Sequence, residues 1–336
     1  MTAHWTAQLS AHGARIEGED IVHFGAAEAE LAAARDSTVA IPLTHLGLIE
    51  CTGEDAKSFL HNQLTSDINH LGPRGVQHSA WCTAKGRMLV SFLFYRPAVG
   101  YRALLSADLL ASTQKRLQMY VLRANVSLSD LSATHALIGV AGPDARSALA
   151  RAGLEAPADA MSSTENAQGA VLSLSSQRFI AVIPANEVAS AWAALTALAR
   201  PAGRIAWQWL DIQEGLPLIC EATKEAFVPQ MADFDRIGGV SFHKGCYPGQ
   251  EIVARTQYLG KVKRHLYRLH AQAPMAAGMA ICSPDSPEHA VGMVANAAPS
   301  PDGGYAALAV IQENFVEGAL TLETAAGPTF SVERLG

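Results

Sequence analysis

The chain has 336 residues, 49% of them hydrophobic and 17% charged, with a formal net charge of −6. That length fits about two domains, or three small ones, and the composition excludes a disordered chain. The acidic balance argues against general affinity for nucleic acid or an anionic membrane.

The opening residues M-T-A-H-W-T-A-Q-L-S lack a basic stretch followed by an apolar run, so no secretory signal is expected. The longest apolar candidate for a membrane span, Ala189 to Leu198, is short and alanine-rich, and reads as a packed helix. A cytoplasmic monomer without membrane attachment is expected. The five cysteines, Cys51, Cys82, Cys220, Cys246 and Cys282, are widely spaced and include no C-x-x-C pair. Neither a zinc ribbon nor a thioredoxin motif is present, and free thiols are predicted in a reducing compartment.

In chain order, V-A-I-P-L and L-G-L-I-E-C read as strands. They lead to a helix capped by Thr52, with Glu54 and Asp55 in its first turn and Ala56, Phe59, Leu60 and Leu64 at helical spacing. A hairpin follows, turning at Lys85-Gly86 into the buried strand M-L-V-S-F-L. A long helix is predicted from Ser106 to Arg123. A second unit begins near Ala136: the strand A-L-I-G-V-A-G, a helix from Asp144 to Ala152 opened by Pro143, strands near 171–174 and 178–183, and a helix from Glu187 to Ala199. G-V-A-G-P-D-A lacks the G-x-G-x-x-G spacing, and its proline removes an amide donor. It reads as a plain strand–helix turn. After Gly260 short strands broken by Pro, Gly and Asp recur evenly, which suggests a small antiparallel barrel.

H-K-G-C-Y-P-G-Q-E, His243 to Glu251, sets one thiol among residues that control the backbone. E-I-V-A-R-T-Q-Y has helical character, so Cys246 precedes a helix N-terminus, where partial positive charge favours thiolate. Lys244 and Arg255 add cations nearby. The same features also fit a tight loop around a buried cysteine, because buried free cysteine is common. Lys244, Arg255, Lys261, Lys263, Arg264 and Arg268 face one acid, Glu251, in this region. They form either an anion site or a solvated face whose side-chain stems pack on apolar surface. The twelve histidines show no H-x-x-x-H or H-E-x-x-H spacing, so no stable metal site is predicted.

K-G-C-Y-P-G-Q-E closely resembles the K-G-C-Y-x-G-Q-E signature of the YgfZ family of folate-binding iron–sulfur maintenance proteins. F-V-P-Q-M-A-D-F-D-R-I-G-G-V-S-F, T-G-E-D-A-K-S-F-L-H-N-Q-L-T-S-D and C-T-A-K-G-R-M resemble its other blocks, in order. The resemblance runs from about Pro42 to the C-terminus. It implies an α+β, three-domain T-protein-like fold around a central channel that takes tetrahydrofolate, closed by a C-terminal antiparallel β-barrel. The implied domains are 1–135 with 205–260 as a folate-binding body, 136–204 as a small α+β sandwich, and 261–336 as the barrel.

The implied role is support of iron–sulfur enzymes or cluster carriers, including those of tRNA methylthiolation; a folate-free tRNA binder is disfavoured by the net charge of −6, and no direct nucleic-acid binding is expected. Cys246 is the implied functional residue, as a reactive thiol or a transient cluster ligand. Lys244 and Arg255 would favour its thiolate, and Tyr247, Gly249, Gln250 and Glu251 would shape its loop. Trp207, Glu214 and Gln230 are the implied folate contacts. The sequence departs from the T-protein pattern in three places. The strand from Met88 to Leu93 carries no acid, I-Q-E-G puts Gln213 where a carboxylate is usual, and Leu46 stands where some relatives have tryptophan. The rival, a folate-dependent aminomethyl transferase, needs that missing acid.

Overall fold

A computed structural model describes residues 3–18, 20–258, 260 and 262–335. The chain divides into two compact units. The first takes the described residues of Met1–Leu60, Ile68–Gln77 and Phe92–Trp207, and the second those of His61–Asp67, His78–Ser91 and Gln208–Gly336. Among the described residues, no helix is long and apolar enough to cross a membrane.

In the first unit a six-stranded sheet runs in the order Ser162–Asn166, Gly169–Ser175, Arg178–Pro184, His135–Ala141, Val39–Pro42, Arg200–Pro201. The strand Val39–Pro42 therefore joins the sheet of the region that sequence delimits as 136–204. All four of its residues are buried, and such a strand needs a neighbour on each edge. It finds them antiparallel in His135–Ala141 and parallel in Arg200–Pro201. Ile138 and Val140 enter a core with Trp5, Phe179 and Trp192. Strand alternation turns Gly139 to the opposite face, where the Trp207 ring would meet a methyl group at 2.3 Å. The G-V-A-G-P-D-A turn is a packing turn: Gly142, at φ +120°, makes room for the Ser37–Thr38 backbone, and Asp144 N–H donates to Thr38 Oγ1 at 2.8 Å.

A five-stranded sheet has the order Val76–Cys82, Met88–Tyr95, Tyr101–Ser106, Leu46–Thr52, Ser127–Asp130, and the division between units falls within its first two strands. The predicted hairpin and the helix Ala107–Val121 are present. Thr52 does not cap the next helix. It ends its strand, Gly53 bends the chain at φ +113°, and the helix Ala56–Gln63 starts three residues later than the sequence suggested. Asp55 accepts the Asn125 N–H at 2.8 Å instead of serving the helix through Thr52.

The second unit contains the expected run of short strands after Gly260. They form a curled antiparallel half-barrel rather than a closed barrel, in the order Thr321–Leu322, Ala280–Cys282, Gly292–Pro299, Tyr305–Gln312, Arg264–Ala271, Ser331–Arg334. Tyr267, Leu269, Ile281, Val294, Ala309 and Ile311 fill its concave side. The register shifts between Val294 and Asn296. Such a bulge re-aims a side chain. Here Asn296 accepts the Leu218 N–H at 2.9 Å and donates to the Leu218 carbonyl at 2.8 Å, tying the segment before the signature region to the half-barrel.

His45, in the first unit, is buried, and among the described residues neither ring nitrogen has a hydrogen-bond partner. Burial, aided by the Arg204 charge, holds its pKa down to about 3. An unfolded histidine takes up its proton near pH 6.5, so stability is lost as pH falls from about 6.5 toward 3. At about pH 5 the loss from this residue is about 2 kcal/mol. Urea unfolding at neutral pH and at about pH 5 should show that drop, and His45→Leu should flatten it.

Candidate functional site

The signature loop is built on two interlocked turns of the second unit. At the hairpin tip Thr83 N–H donates to Arg87 O at 2.8 Å and Gly86 N–H to Thr83 O at 2.9 Å. Gly86 has φ +70° and Gly249 φ +82°. A methyl group on Gly249 would lie 2.4 Å from Thr83 O and 2.7 Å from Gly86 Cα, and one on Gly86 would lie 3.1 Å from Ile252 Cβ. The two backbones touch, and only glycine leaves room for that contact. C-T-A-K-G-R-M and P-G-Q-E, distant in sequence, are two halves of one contact.

The helix Gln250–Tyr258 begins at this contact, with Val253 N–H donating to Gly249 O at 3.1 Å. Gln230, expected at a folate, is buried beneath it and donates Nε2 to Val253 O at 2.7 Å, while its buried Oε1 has no hydrogen-bond partner among the described residues. Cys246 lies four residues before the helix and is exposed. Cys51 and Cys82 are buried, and burial pushes both thiols up to about 12. Glu251 is exposed in the first helical turn.

Lys244 is placed differently from its expected role. It is 6% exposed, and its ammonium donates to the carbonyls of His61, Leu64 at 2.5 Å and Ser66 at 3.1 Å. Its three N–H donors are thereby spent on backbone, so it acts on Cys246 only through its charge. Burial lowers its pKa to about 8, opposed by the Asp67 carboxylate, and it remains a cation at neutral pH. The Tyr247 ring is buried with its centroid 5.0 Å from Lys244 Nζ. Gln250 Nε2 donates to Lys244 O at 3.4 Å. The loop is therefore fixed on both sides of the thiol.

The basic run does not form one face. Arg255, Lys263 and Arg264 line one cavity of about 430 Å³ with Met231, Ile252 and Gln312. Arg268 instead donates to Gln213 O at 2.6 Å and pairs with Glu333 at 2.9 Å. Lys261 lies outside the described residues. Glu214 is exposed on a second pocket of about 330 Å³, with Gln213, Asp233, Arg236 and Arg268. Trp207 belongs to the first unit and is 1% exposed. The Arg178 guanidinium stacks 4.1 Å from its ring centroid and Gly139 backs the ring, so no face is presented for stacking. Sequence spacing gave no hint of His61 and Asp67, which pair at 3.1 Å in the segment that Lys244 holds. No cluster of metal ligands occurs among the described residues.

Lys244→Met keeps the apolar stem and strips three buried or half-buried carbonyls of their donor. The variant should lose about 3 kcal/mol in urea unfolding. Proteolysis within 240–250 should rise in parallel, which a surface lysine would not produce.

The GCVT N-terminal domain family matches residues 8–237. The tRNA-modifying protein YgfZ of Vibrio vulnificus (strain CMCP6) is 36% identical over 227 residues, 68% of this chain and 68% of that protein. The protein of the same name from Edwardsiella ictaluri (strain 93-146) is 35% identical over 244 residues, 69% and 72% of the two chains. The crystal structure of the glycine cleavage system aminomethyltransferase T from Bartonella henselae superposes with a TM-score of 0.83 at 17% identity, over 100% of this chain and 97% of that one, which establishes a shared fold. With its K-G-C-Y-P-G-Q-E loop seated on the hairpin tip, this chain belongs to the GCVT N-terminal domain family and, within it, to the YgfZ proteins.

Proposed function

We propose that the chain is a folate-binding accessory protein that supports assembly or repair of iron–sulfur enzymes, those of tRNA methylthiolation among them, through the thiol of Cys246. The observation that carries this reading is the contrast within one loop. Lys244 and Tyr247 are buried and Gly249 is locked against Gly86, yet Cys246 between them is exposed. A loop held so firmly to display one thiol suits reaction with another molecule; a packing cysteine belongs inside, where Cys51 and Cys82 are. The relatives' name, tRNA-modifying protein, agrees with such a role.

Tetrahydrofolate is the proposed ligand. The Glu214 pocket offers carboxylates, an amide and two guanidiniums, a donor and acceptor set that fits the polar edge of a pterin. The Arg255, Lys263 and Arg264 cavity suits the anionic glutamate tail. Gln230 would reach ligand only through its unpartnered Oε1, and Trp207 only once Arg178 leaves its ring. Aminomethyl transfer is the less favoured reading. The strand Met88–Tyr95 carries no carboxylate, and its one aliphatic hydroxyl, Ser91, already accepts the Ile219 N–H at 2.9 Å.

A strain lacking this protein, complemented with Cys246→Ser, tests the proposal. The variant should be as stable as the parent and should leave iron–sulfur enzyme activity unrestored; full restoration would sink the thiol reading. Calorimetry with tetrahydrofolate should show binding that weakens about tenfold in Arg255→Ala with Arg264→Ala, since two charge-assisted contacts are lost.

A further inference from the structure

The segment that Lys244 fastens carries a histidine and an aspartate aimed at the signature loop. His61 Nδ1 lies 3.1 Å from Asp67 Oδ1, and both side chains are 14% exposed. With Nδ1 turned to the carboxylate, the ring's other nitrogen points the opposite way. That nitrogen faces the loop: a methyl group built on Gly245 would lie 3.8 Å from His61 Nε2. Gly245 has no side chain to occupy the gap, and Cys246 is the next residue. We infer that His61 is the proton acceptor of the Cys246 thiol and that Asp67 is its positioning residue.

A thiol, a base and a carboxylate that orients the base make up the arrangement that activates a nucleophile. The step moves one proton. The S–H bond of Cys246 breaks, its electron pair stays on Sγ, and an N–H bond forms at His61 Nε2. The imidazolium keeps its Nδ1–H on Asp67. No oxidant or second reactant is involved. Lys244 holds the His61 carbonyl and feels the Asp67 charge. Tyr247 lies against Lys244, and the Cys82 thiol lies behind Tyr247. His243 and Glu251 flank the loop and are exposed.

The inference rests on the reading of Cys246 as a working thiol, and its test is chemical, independent of any iron–sulfur enzyme. Iodoacetamide alkylation of Cys246 in the full chain is followed by mass spectrometry from about pH 5 to about pH 8. The parent should react faster at neutral pH than either variant below. His61→Gln should slow the reaction at neutral pH about tenfold, because less of the thiol is then ionised, and Asp67→Asn should move the profile the same way. An unchanged profile in a His61→Gln chain with native near-ultraviolet dichroism overturns the assignment. Should that variant fail to fold, histidine NMR on the parent decides. A His61 titration that moves when Cys246 is alkylated supports the pairing, and one indifferent to alkylation overturns it. A chain that alkylates as expected, while Cys246→Ser still restores iron–sulfur enzymes, fails the proposed function and keeps this one.

Discussion

A buried ammonium holding three carbonyls is the interaction on which the signature loop of the second unit depends. A cation removed from water is costly unless it is fully hydrogen-bonded, and here the backbone of 61–66 supplies the partners. Those carbonyls belong to the last turn of the helix Ala56–Gln63 and the residues after it, where a helix leaves carbonyls unsatisfied and favours positive charge. The signature loop and the end of this helix thus solve each other's problem. The loop supplies donors to the helix end, and the helix end supplies a hydrogen-bonded seat that makes burial of the lysine tolerable. Burial still weakens the ammonium's hold on its proton, which measures how close the balance is.

Much of the architecture was legible in the sequence because its signals were local. The hairpin turning at Lys85-Gly86, the helix after Gly249 and the even run of strands after Gly260 all came from turn residues and periodicity. What was missed is non-local. Nothing in V-A-I-P says that it pairs with A-L-I-G-V-A rather than with the strands beside it in sequence. The curled sheet could not be told from a closed barrel because closure depends on pairing between the two end strands, which local patterning does not report. At the site, the signature marked the loop but not the work of its parts. Lys244 read as a charge beside a thiol, whereas the fold makes it a structural donor. His61 lay in H-N-Q-L with no metal or catalytic spacing, so its partnership with Asp67 and its approach to Gly245 emerge only in three dimensions. Trp207 read as a stacking surface and is packed shut by Arg178 and Gly139.

The charge distribution shows why a run of cations in sequence is a poor guide to a binding face. Lys244 goes inward, Arg268 turns to Gln213 and Glu333, and three others converge on one cavity. Net charge describes the chain's behaviour in bulk, while this local convergence decides what anion it could hold. The shared fold with an aminomethyltransferase makes the same point about chemistry. The fold is shared, yet the strand Met88–Tyr95 carries no carboxylate, and the exposed thiol of Cys246 stands on a loop elsewhere in the chain.

The tip of a β-hairpin is ordinarily the place where a chain accepts extra residues most readily, because it is exposed and bonded only to itself. The contact of Gly86 with Gly249 removes that freedom. A residue added between Thr83 and Arg87 would push against the start of the helix Gln250–Tyr258 and, through it, against the loop that displays Cys246. Lengthening this tip therefore changes a remote thiol's surroundings. A tag, a reporter or a circular permutation placed there would act as a mutation of the site itself, and the two turns can drift in sequence only as a pair.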